Sequence, residues 1–566
     1  MRHRTTPRFT PTLLLCALLA GCASAGKDYA GPPADAAPPA GAGFARAGAP
    51  SANPDDNPVQ PGGQVLARWW TALGDPTLDA LVERALRANP NLDVARARLR
   101  QARAGLRTER ANGRPNGTGT LLAAHARLPP LGDALGGSRS ASSGDAAQSG
   151  VSLPSSLNLY SVGFDATWEI DLFGGRRRAV EAAGAQLEAA EASLADAQLS
   201  LTAEVAQAYV NLRSSQQRVA LSDAAVARQQ RILDLTAKRV ERGTASQLDL
   251  ARLQGQLEAT RAEGEPLQTE LDSYRDELAV LVGAAPGALD AQLAALTVPP
   301  GTPAAAGPAL QPNPQTDPQV NPQRSAQRGA PAGSAPGAPT IVPPGTQQDA
   351  QLAALPAVPL PPASVAVGDP AAMLRRRPDI RAAERTLAAR TAQVGQADAA
   401  RFPRLTLLGL IGIGGTHPSD LTHLDDFSAI LAPQLAWNFL DFGRNTARIE
   451  QAQGVRDEAE AQYRAAVLGA LRDAESALSR FRQRRATVAT IARNKAAADR
   501  AAMLMAARQR AGTASLIDVL DTERQQISAE QNLAQAQAAL TGDFVALHKA
   551  LGLGWQAAPG SGATRP

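Results

Sequence analysis

The chain has few of the residues that build compact cores or catalytic centres. Aromatic residues make up 4% of its 566 residues, and it contains two cysteines and five scattered histidines. So few aromatics in so long a chain favour long helices over several compact cores. The sequence has no His-Glu-x-x-His motif and no glycine-rich phosphate loop ahead of a lysine. We therefore expect neither an enzyme nor a metal or organic cofactor.

An excess of one charge is also missing. The 57 lysines and arginines nearly balance 53 acidic residues, for a net charge of +4. Basic and acidic residues alternate along the apolar-periodic stretches, which is typical of solvated helix faces. This distribution disfavours nucleic-acid binding.

The amino terminus carries a short apolar run. Three arginines precede "LLLCALLA", which is too short for a membrane-spanning helix. We interpret residues 1–21 as a secretory signal. The following "LAGC" ends at Cys22 and resembles the bacterial lipobox, in which the cysteine becomes the lipidated first residue. The alternative is an ordinary signal cut near residues 23–25.

Lipidation of Cys22 would decide the fate of both cysteines. Cys16 would leave with the signal, so no disulfide could form. Ala23 follows the lipobox cysteine, and in lipoproteins of this type an aspartate there would imply retention at the inner membrane. Its absence allows delivery to the outer membrane.

Two segments are too poor in bulky apolar residues to fold alone. Residues 22–65 are rich in Gly, Pro and Ala, and residues 299–362 are rich in Pro, Gln and Gly with almost no charge. We interpret the first as a flexible lipidated arm and the second as a low-complexity insertion. They leave two halves, residues 66–298 and 363–553, and a flexible tail at 554–566.

The two halves are copies of one unit. Trp168 aligns with Trp437 at an offset of 269 residues, and the same offset places "GTAS" at 243–246 on "GTAS" at 512–515. One constant offset means that the intervening segments have equal length. We infer an internal duplication.

The upstream parts of the copies align at a different offset. "NPNLDVARARL" from Asn89 matches "RPDIRAAERTL" from Arg377 at an offset of 288 residues. The first copy therefore holds 19 additional residues ahead of Trp168. Asn89 and Arg377 each precede a proline, and both pairs mark predicted helix starts.

Each copy contains a proline-free stretch of about 67 residues, from Gly175 to Glu241 and from Arg444 to Arg510. As helices these would span about 100 Å. Each has a stripe of mostly small apolar residues at a 3.6-residue period, which lets neighbouring helices approach closely. The stripes are Ala183, Leu187, Ala190, Leu194, Ala197, Leu201, Val205, Ala208 and Leu212, and Ala452, Arg456, Ala459, Tyr463, Ala466, Ala470, Ala474, Ala477 and Phe481. We predict helical hairpins over 175–283 and 444–552; coiled-coil hairpins without a channel would fit this pattern equally.

Strand patterns separate these alternatives. "NLYSVGFDATWEIDLF" alternates apolar and polar residues over more than ten positions, and residues 427–439 do so more weakly. With partner strands these predict β-hairpins at 115–173 and 403–443. The edge of a sandwich would also alternate, but an exported, lipidated chain favours an outer-membrane barrel. Four strands cannot close a barrel, so two or three chains must contribute.

Several motifs in this order resemble the TolC family of outer-membrane efflux channels, specifically its lipoprotein branch that works with resistance-nodulation-division pumps. They are "LAGC", "WWTALGDPTLDALVERALRANPNLDVARARL", "WEIDLFGGRRR", "LRRRPDIRAAERTLAARTAQVGQADAARFPRLTL" and the paired "GTAS…D" stretches. The resemblance covers roughly residues 66–298 and 363–553. It implies a mainly α fold with a transmembrane β-barrel, in which three chains form a twelve-stranded outer-membrane barrel and a periplasmic α-helical barrel.

The resemblance also implies a function and partners. The homotrimer would be a passive exit duct for drugs or other small toxic compounds, joined by a periplasmic adaptor to an inner-membrane resistance-nodulation-division pump, with lipid on Cys22 as its only covalent group. The alternatives are a duct for type I protein secretion and a structural coiled-coil lipoprotein of the periplasm.

The resemblance places the "GTAS" stretches at the periplasmic turns of the long helices. Glycine ends helices well, and Ser246 and Ser515 suit the caps of the returning helices, with an aspartate three residues on. The adaptor would contact these turns, although turn geometry alone would also explain their residues. The candidate contacts are Arg242, Gly243, Thr244, Gly512 and Thr513.

The acidic residues beside the turns are the candidate pore aperture. Asp518 and Asp521, in "DVLD", would form an acidic ring at the closed entrance, with Asp249 at the other turn. Helix capping alone is the alternative for Asp249 and Asp518.

We expect structural roles for several aromatic residues. We expect Trp69 and Trp70 to pack the amino-terminal segment, and Trp168 and Trp437 to lie at a membrane interface. Phe173-Gly174 and Phe442-Gly443 mark the expected strand-to-helix transitions.

Overall fold

The computed structural model describes residues 25–33, 38–39, 42–48, 59–60, 67–127, 156–294, 357–423, 425 and 427–555. The predicted signal, Cys22 and all but the last six residues of the insertion at 299–362 lie outside these ranges. The predicted carboxy-terminal tail is described only at its first two residues.

The first half is built around one very long helix. Its elements are β1 (Val59–Gln60), a 3₁₀ turn (Trp69–Leu73), α1 (Pro76–Ala88), α2 (Pro90–Asn112), β2 (Asn116–Arg127), β3 (Ser156–Ile170), α3 (Gly175–Glu241), α4 (Gln247–Leu281) and α5 (Asp290–Ala294).

The second half repeats the order of the main helices and strands, with its 3₁₀ turn placed between the two long strands. Its elements are β4 (Val365–Ala366), α6 (Pro370–Arg376), α7 (Pro378–Ala399), β5 (Arg404–Gly415), a 3₁₀ turn (Pro418–Thr422), β6 (Phe427–Ala436), α8 (Arg444–Arg510) and α9 (Leu516–Ala550).

The two long helices have the predicted bounds. α3 and α8 each span 67 residues, and each begins after a glycine with positive φ, Gly174 at 82° and Gly443 at 88°. These glycines follow Phe173 and Phe442, so the predicted strand-to-helix transitions are confirmed. Every position of the two predicted small-residue stripes is buried or half-buried. The stripes therefore form the helix contacts, as expected from close packing of small side chains.

The helices form a layer with a fixed order. Near the sheet, α2 packs on α3, α3 on α7, and α7 on α8. Towards the far end the order is α4, α3, α9 and α8. One side of the layer is thus formed by α2 and α4, and the other by α8.

Equivalent hydrogen bonds join the helices end to end in both halves. Asn89 caps α2 and its Nδ2 donates to the carbonyl of Leu281 at 2.8 Å, while Arg377 Nη1 donates to the carbonyl of Ala550 at 2.7 Å. Asn89 and Arg377 are related by the offset of 288 residues, and Leu281 and Ala550 by 269. The duplication read from the sequence therefore extends to individual contacts. α2 with α4, and α7 with α9, each act as one interrupted long helix beside α3 or α8.

The four long strands form one antiparallel sheet in the order β2-β3-β5-β6. Leu121 pairs with Val162, Val162 with Ile413, and Ile413 with Phe427, so residues of one face stay in register across all four strands. Pro433 lies in β6, an outer strand, where a missing backbone donor is tolerated. The outer edges of β2 and β6 pair with no strand among the described residues.

One face of this sheet is apolar and exposed. Phe164 is 69% exposed and pairs with Ile411, which is 54% exposed. The same face carries Leu121, Val162, Trp168, Phe427, Leu431 and Leu435. Large exposed apolar surfaces mark contact with a membrane or another protein. The predicted alternation of β3 is therefore confirmed.

Trp168 and Trp437 fasten the sheet to the helices. Trp168 Nε1 donates to the carbonyl of Gly113 at 3.2 Å, and Trp437 Nε1 donates to the carbonyl of Arg401 at 3.0 Å. Both rings remain partly exposed on the apolar side. A tryptophan with a polar tip satisfied and an apolar ring exposed suits a boundary between water and lipid.

The main core lies midway along the helices. Trp69 is fully buried against Phe544 and His548, and Trp70 contacts Trp69 edge to face. These tryptophans pack the amino-terminal segment as predicted. Within the described ranges, no helix combines the length and the apolar content that crossing a membrane requires.

His548 makes this core sensitive to acid. Its Nδ1 lies 2.9 Å from the carbonyl of Phe544, and burial lowers its pKa to about 4. In the unfolded chain a histidine titrates near 6.5, so only the unfolded state binds this proton between about pH 6.5 and 4. The free energy of unfolding should therefore fall as the pH drops through this window, by roughly 3 kcal/mol in total.

We expect His548→Gln to remove this part of the acid sensitivity, because glutamine does not titrate. Thermal unfolding of the detergent-solubilised protein between pH 7 and pH 4 measures it as the difference in slope between the two forms. Equal slopes would contradict the assignment to His548.

Candidate functional site

The turns at the far ends of α3 and α8 have the same geometry. Gly243 and Gly512 adopt φ values of 70° and 76°, a region that favours glycine. The backbone N–H of Thr244 donates to the carbonyl of Arg239 at 2.8 Å, and that of Thr513 donates to the carbonyl of Arg508 at 2.9 Å. Each glycine turn thus satisfies helix-end carbonyls that would otherwise lack a donor.

The returning helices begin with a serine cap, as predicted. Ser515 Oγ accepts from the N–H of Asp518 at 3.2 Å, and Asp518 Oδ2 accepts from the Ser515 N–H at 3.1 Å. This is a complete capping box. In the first copy Ser246 Oγ accepts from the Asp249 N–H at 3.1 Å, and its hydroxyl donates to Asp249 Oδ2 at 2.8 Å. The two aspartates therefore have a structural role in their own turns.

Capping also affects the charge of Asp518. Hydrogen bonds from the Ser515 hydroxyl and backbone N–H lower the pKa of the Asp518 carboxyl, with Arg508 adding a smaller contribution. The Asp518 carboxylate therefore stays ionised at pH values below the usual pKa of aspartate. The stabilising cap persists as the pH falls and is lost only when the pH passes the lowered pKa.

The second turn presents two exposed carboxylates. Asp518 and Asp521 lie on the exposed side of the first turns of α9, while Val519 and Leu520 between them are buried. Asp521 is 54% exposed, and its Oδ1 lies 4.0 Å from Arg524. Asp249, at the first turn, is half-buried. The sequence brings a carboxylate pair together only at the second turn.

The candidate adaptor contacts are all available at the surface. Arg242, Gly243, Thr244, Gly512 and Thr513 are exposed. A Cβ added to either glycine would meet no atom within 4 Å. Both turns lie at the end of the layer opposite the sheet, separated from it by a helix of about 100 Å.

Arg178 is a functional candidate that sequence reasoning missed. Its side chain is 4% exposed in the first turn of α3, where Nε donates to the carbonyl of Ala25 at 3.1 Å and Nη2 to that of Gly26 at 3.0 Å. Its guanidinium also pairs with Asp28 and Glu181, each at 2.7 Å. A buried arginine is thus satisfied by the arm just after Cys22.

The arm meets the junction of sheet and helices closely. The Ala25 N–H donates to the carbonyl of Phe173 at 2.9 Å. A Cβ on Gly26, whose φ is +80°, would lie 2.5 Å from the Cα of Gly395, so only glycine fits there. The signal in the sequence is weak, because Arg178 is one of three consecutive arginines and its partners in the arm are about 150 residues away.

Further along the chain, the arm also contacts α8. Glu475 accepts hydrogen bonds from the N–H groups of Ala45 and Arg46, at 2.7 and 2.9 Å, and Phe44 is buried in the core.

The end of the predicted insertion is packed as well. Val358 is 3% exposed, and Thr541 Oγ1 donates to the carbonyl of Pro359 at 2.7 Å.

These features define a class of protein. An exposed apolar sheet continued by helices of about 100 Å, with turns at their far ends, is the architecture of an outer-membrane channel. Residues 81–284 and 370–553 match the model of the family described as outer membrane efflux protein. The chain belongs to that family, and the two matched segments correspond to its two halves.

Similar proteins agree with this assignment. The chain is 28% identical to nodulation protein T of Rhizobium leguminosarum bv. viciae, over 88% of this chain and 86% of that protein. It is 27% identical to the pyoverdine export outer membrane protein OpmQ of Pseudomonas aeruginosa, over 87% and 88%. The solved structure of the outer-membrane channel OprN is 31% identical, with a TM-score of 0.70 over 94% of this chain and 99% of that one. The resemblance to the TolC family and the predicted fold class are confirmed.

We expect Arg178→Ala to release residues 25–28 from the junction. Each hydrogen bond to a charged group contributes roughly 1.5–3 kcal/mol, so losing the contacts to the arm should speed its exposure at least tenfold. Cleavage after Lys27 by a lysine-specific protease, followed by mass spectrometry, measures this rate. Arg177→Ala is the matched control, since Arg177 is 59% exposed and its contact to Asp171 is 3.7 Å long. Equal cleavage rates in the two variants would contradict the role of Arg178.

Proposed function

We propose that three copies of this chain form the passive exit duct of a tripartite efflux system, which carries small toxic compounds across the outer membrane of a Gram-negative bacterium. The observation that carries this proposal is the four-stranded sheet with an exposed apolar face and two unpaired outer strands, continued by helices of about 100 Å. The sheet supplies the membrane section and the helices extend into the periplasm.

The open sides of the chain support assembly with other copies. β2, α2 and α4 follow one another along one side of the protein, and β6 and α8 along the other. A heterologous contact between these two sides pairs strand with strand and helix with helix, and repeated rotation closes it into a ring. Three copies give twelve strands, above the minimum of about eight for a spanning barrel.

The exported compound is proposed from the relatives. The outer membrane protein OpmQ of Pseudomonas aeruginosa is named for the export of pyoverdine. Because the sequence lacks a nucleotide-binding loop, energy comes from a partner, for which we propose an inner-membrane resistance-nodulation-division pump joined by a periplasmic adaptor.

Lipid on Cys22 would anchor the duct beside the sheet. Ala25 docks at the end of β3, and three residues span at most about 10 Å, so the acyl chains would enter the membrane next to the junction. The docked Ala25 also favours the lipobox over cleavage after residue 25, because that cut would remove a residue that makes two hydrogen bonds.

We expect cells to incorporate labelled palmitate into the natural protein and not into Cys22→Ala. The mass of the mature amino-terminal peptide provides the control. A mature chain that starts after residue 25 without lipid would contradict the anchor.

The carboxylates of Asp518 and Asp521 form the proposed aperture, together with Asp249 at the first turn. In a trimer six exposed carboxylates would converge at the second turns, where they attract cations and repel one another. The lowered pKa of Asp518 keeps its charge in place down to acidic pH.

We expect the double variant Asp518→Asn with Asp521→Asn to lose cation selectivity and change conductance in planar bilayers. Ser515→Ala is the matched control, because it removes the cap and keeps both charges. An unchanged single-channel record of the double variant would contradict the aperture, and the same change in Ser515→Ala would assign the effect to capping.

The exposed turns are the proposed contacts of the adaptor. We expect cysteine at Thr244 or Ser515 to crosslink to the adaptor in cells, while cysteine at Thr120, on the sheet, does not. Crosslinking from Thr120 alone would place the adaptor at the sheet and would contradict the proposed contact at the turns.

A further inference from the structure

One side of α2 carries a continuous row of arginines. Successive members are three or four residues apart, which places them on the same side of a helix. The row consists of Arg96, Arg100, Arg103, Arg107, Arg110 and, just past the helix end, Arg114. Arg96 pairs with Asp93 at 2.8 Å, and Arg103 lies 3.5 Å from Glu191. The row is therefore partly neutralised at its far end.

The members nearest the sheet are different. Arg107, Arg110 and Arg114 are exposed, and within the described part of the chain none has a side-chain hydrogen bond or ion pair. Glu109, an acidic residue between them in sequence, accepts a hydrogen bond from Asn112 at 3.3 Å. Three cations thus lie within about 10 Å along the chain without a partner.

These three arginines lie level with the edge of the apolar sheet face. Trp168, on that face, donates to the carbonyl of Gly113, the residue next to Arg114. An indole at such a boundary belongs to the interfacial layer of a membrane. The headgroup region adds about 5 Å or more to each side of the hydrocarbon core, so this turn of α2 falls within it.

The arginine row borders the contact between α2 and α3, and Arg103 reaches Glu191 of α3. Leu92, Leu99 and Leu106 are buried towards α3. The opposite side, with Val94 and Gln101, is exposed, and in the proposed ring it is the side left for a neighbouring copy. The arginine row lies between these two sides, so assembly would leave it exposed.

We propose that Arg107, Arg110 and Arg114 bind the headgroups of anionic phospholipids in the leaflet that faces the helices. The proposal rests on the proposed placement of the sheet in the membrane. Arginine suits this ligand because its planar guanidinium makes paired hydrogen bonds to phosphate oxygens. A basic residue beside an anionic membrane surface favours binding by about fivefold.

Trp168 provides the test. The protein is reconstituted in vesicles of phosphatidylethanolamine with brominated phosphatidylglycerol or brominated phosphatidylcholine, and quenching of Trp168 fluorescence is isolated by subtracting the Trp168→Phe variant. We expect the natural protein to prefer phosphatidylglycerol at this position by at least fivefold. Arg107→Gln with Arg110→Gln and Arg114→Gln should reduce the preference to near one, and the corresponding lysine variants should retain most of it.

A charge-matched control is available at the far end of α8. Arg500→Gln with Arg508→Gln and Arg510→Gln removes the same charge about 80 to 100 Å from the sheet and should keep the preference. The proposal is overturned if the α2 triple variant keeps the preference, or if both triple variants lose it equally. If neither lipid quenches Trp168, the sheet does not face lipid and the proposed function fails with it. Equal quenching by both lipids in the natural protein refutes the arginine site alone.

Discussion

The open edges of the four-stranded sheet are the constraint on which the rest of the structure depends. Backbone N–H and C=O groups at an edge have no water to bind within a bilayer, and each unsatisfied group costs several kcal/mol. β2 and β6 are 12 and 10 residues long, so each exposes a row of such groups along its outer side. A single chain could not tolerate this in lipid. In the proposed assembly, closure with other copies would remove this cost, and the helices that continue the sheet would close in the same way.

The helices can pack in one continuous layer because the side chains between them are small. Alanine is the most frequent buried residue of α3 and α8, which favours close approach of the helices and lets one layer extend from the sheet to the turns. The interruptions between α2 and α4, and between α7 and α9, are spanned by hydrogen bonds from Asn89 and Arg377. The duplicated unit therefore produces two equivalent interrupted helices, α2 with α4 and α7 with α9.

Features with a local cause could be predicted from the sequence. The 67-residue helices follow from the absence of proline and the 3.6-residue period, and the caps at Ser246 and Ser515 follow from an aspartate three residues on. β3 follows from strict alternation, and its apolar residues Phe164 and Trp168 pair with Ile411 and Leu407 of β5.

Contacts between distant segments could not be predicted in this way. Arg178 binds a segment about 150 residues earlier, and Gly26 fits against Gly395, so neither residue shows a local pattern. The sequence also gives no sign that Val358 packs against the helices, because its neighbours are proline-rich. Likewise, the sequence distinguishes Asp518 from Asp249 only by the additional Asp521, while the structure shows that the two caps also differ in a hydrogen bond from the serine N–H.

The mass of the assembled protein tests the central claim most directly. Native mass spectrometry of the detergent-extracted protein, released gently from its micelle, should give three times the mass of the mature chain, in a form that dissociates on heating and conducts ions in bilayers. A monomer that remains soluble as a helical rod after its lipid is removed would contradict closure of the sheet by other copies.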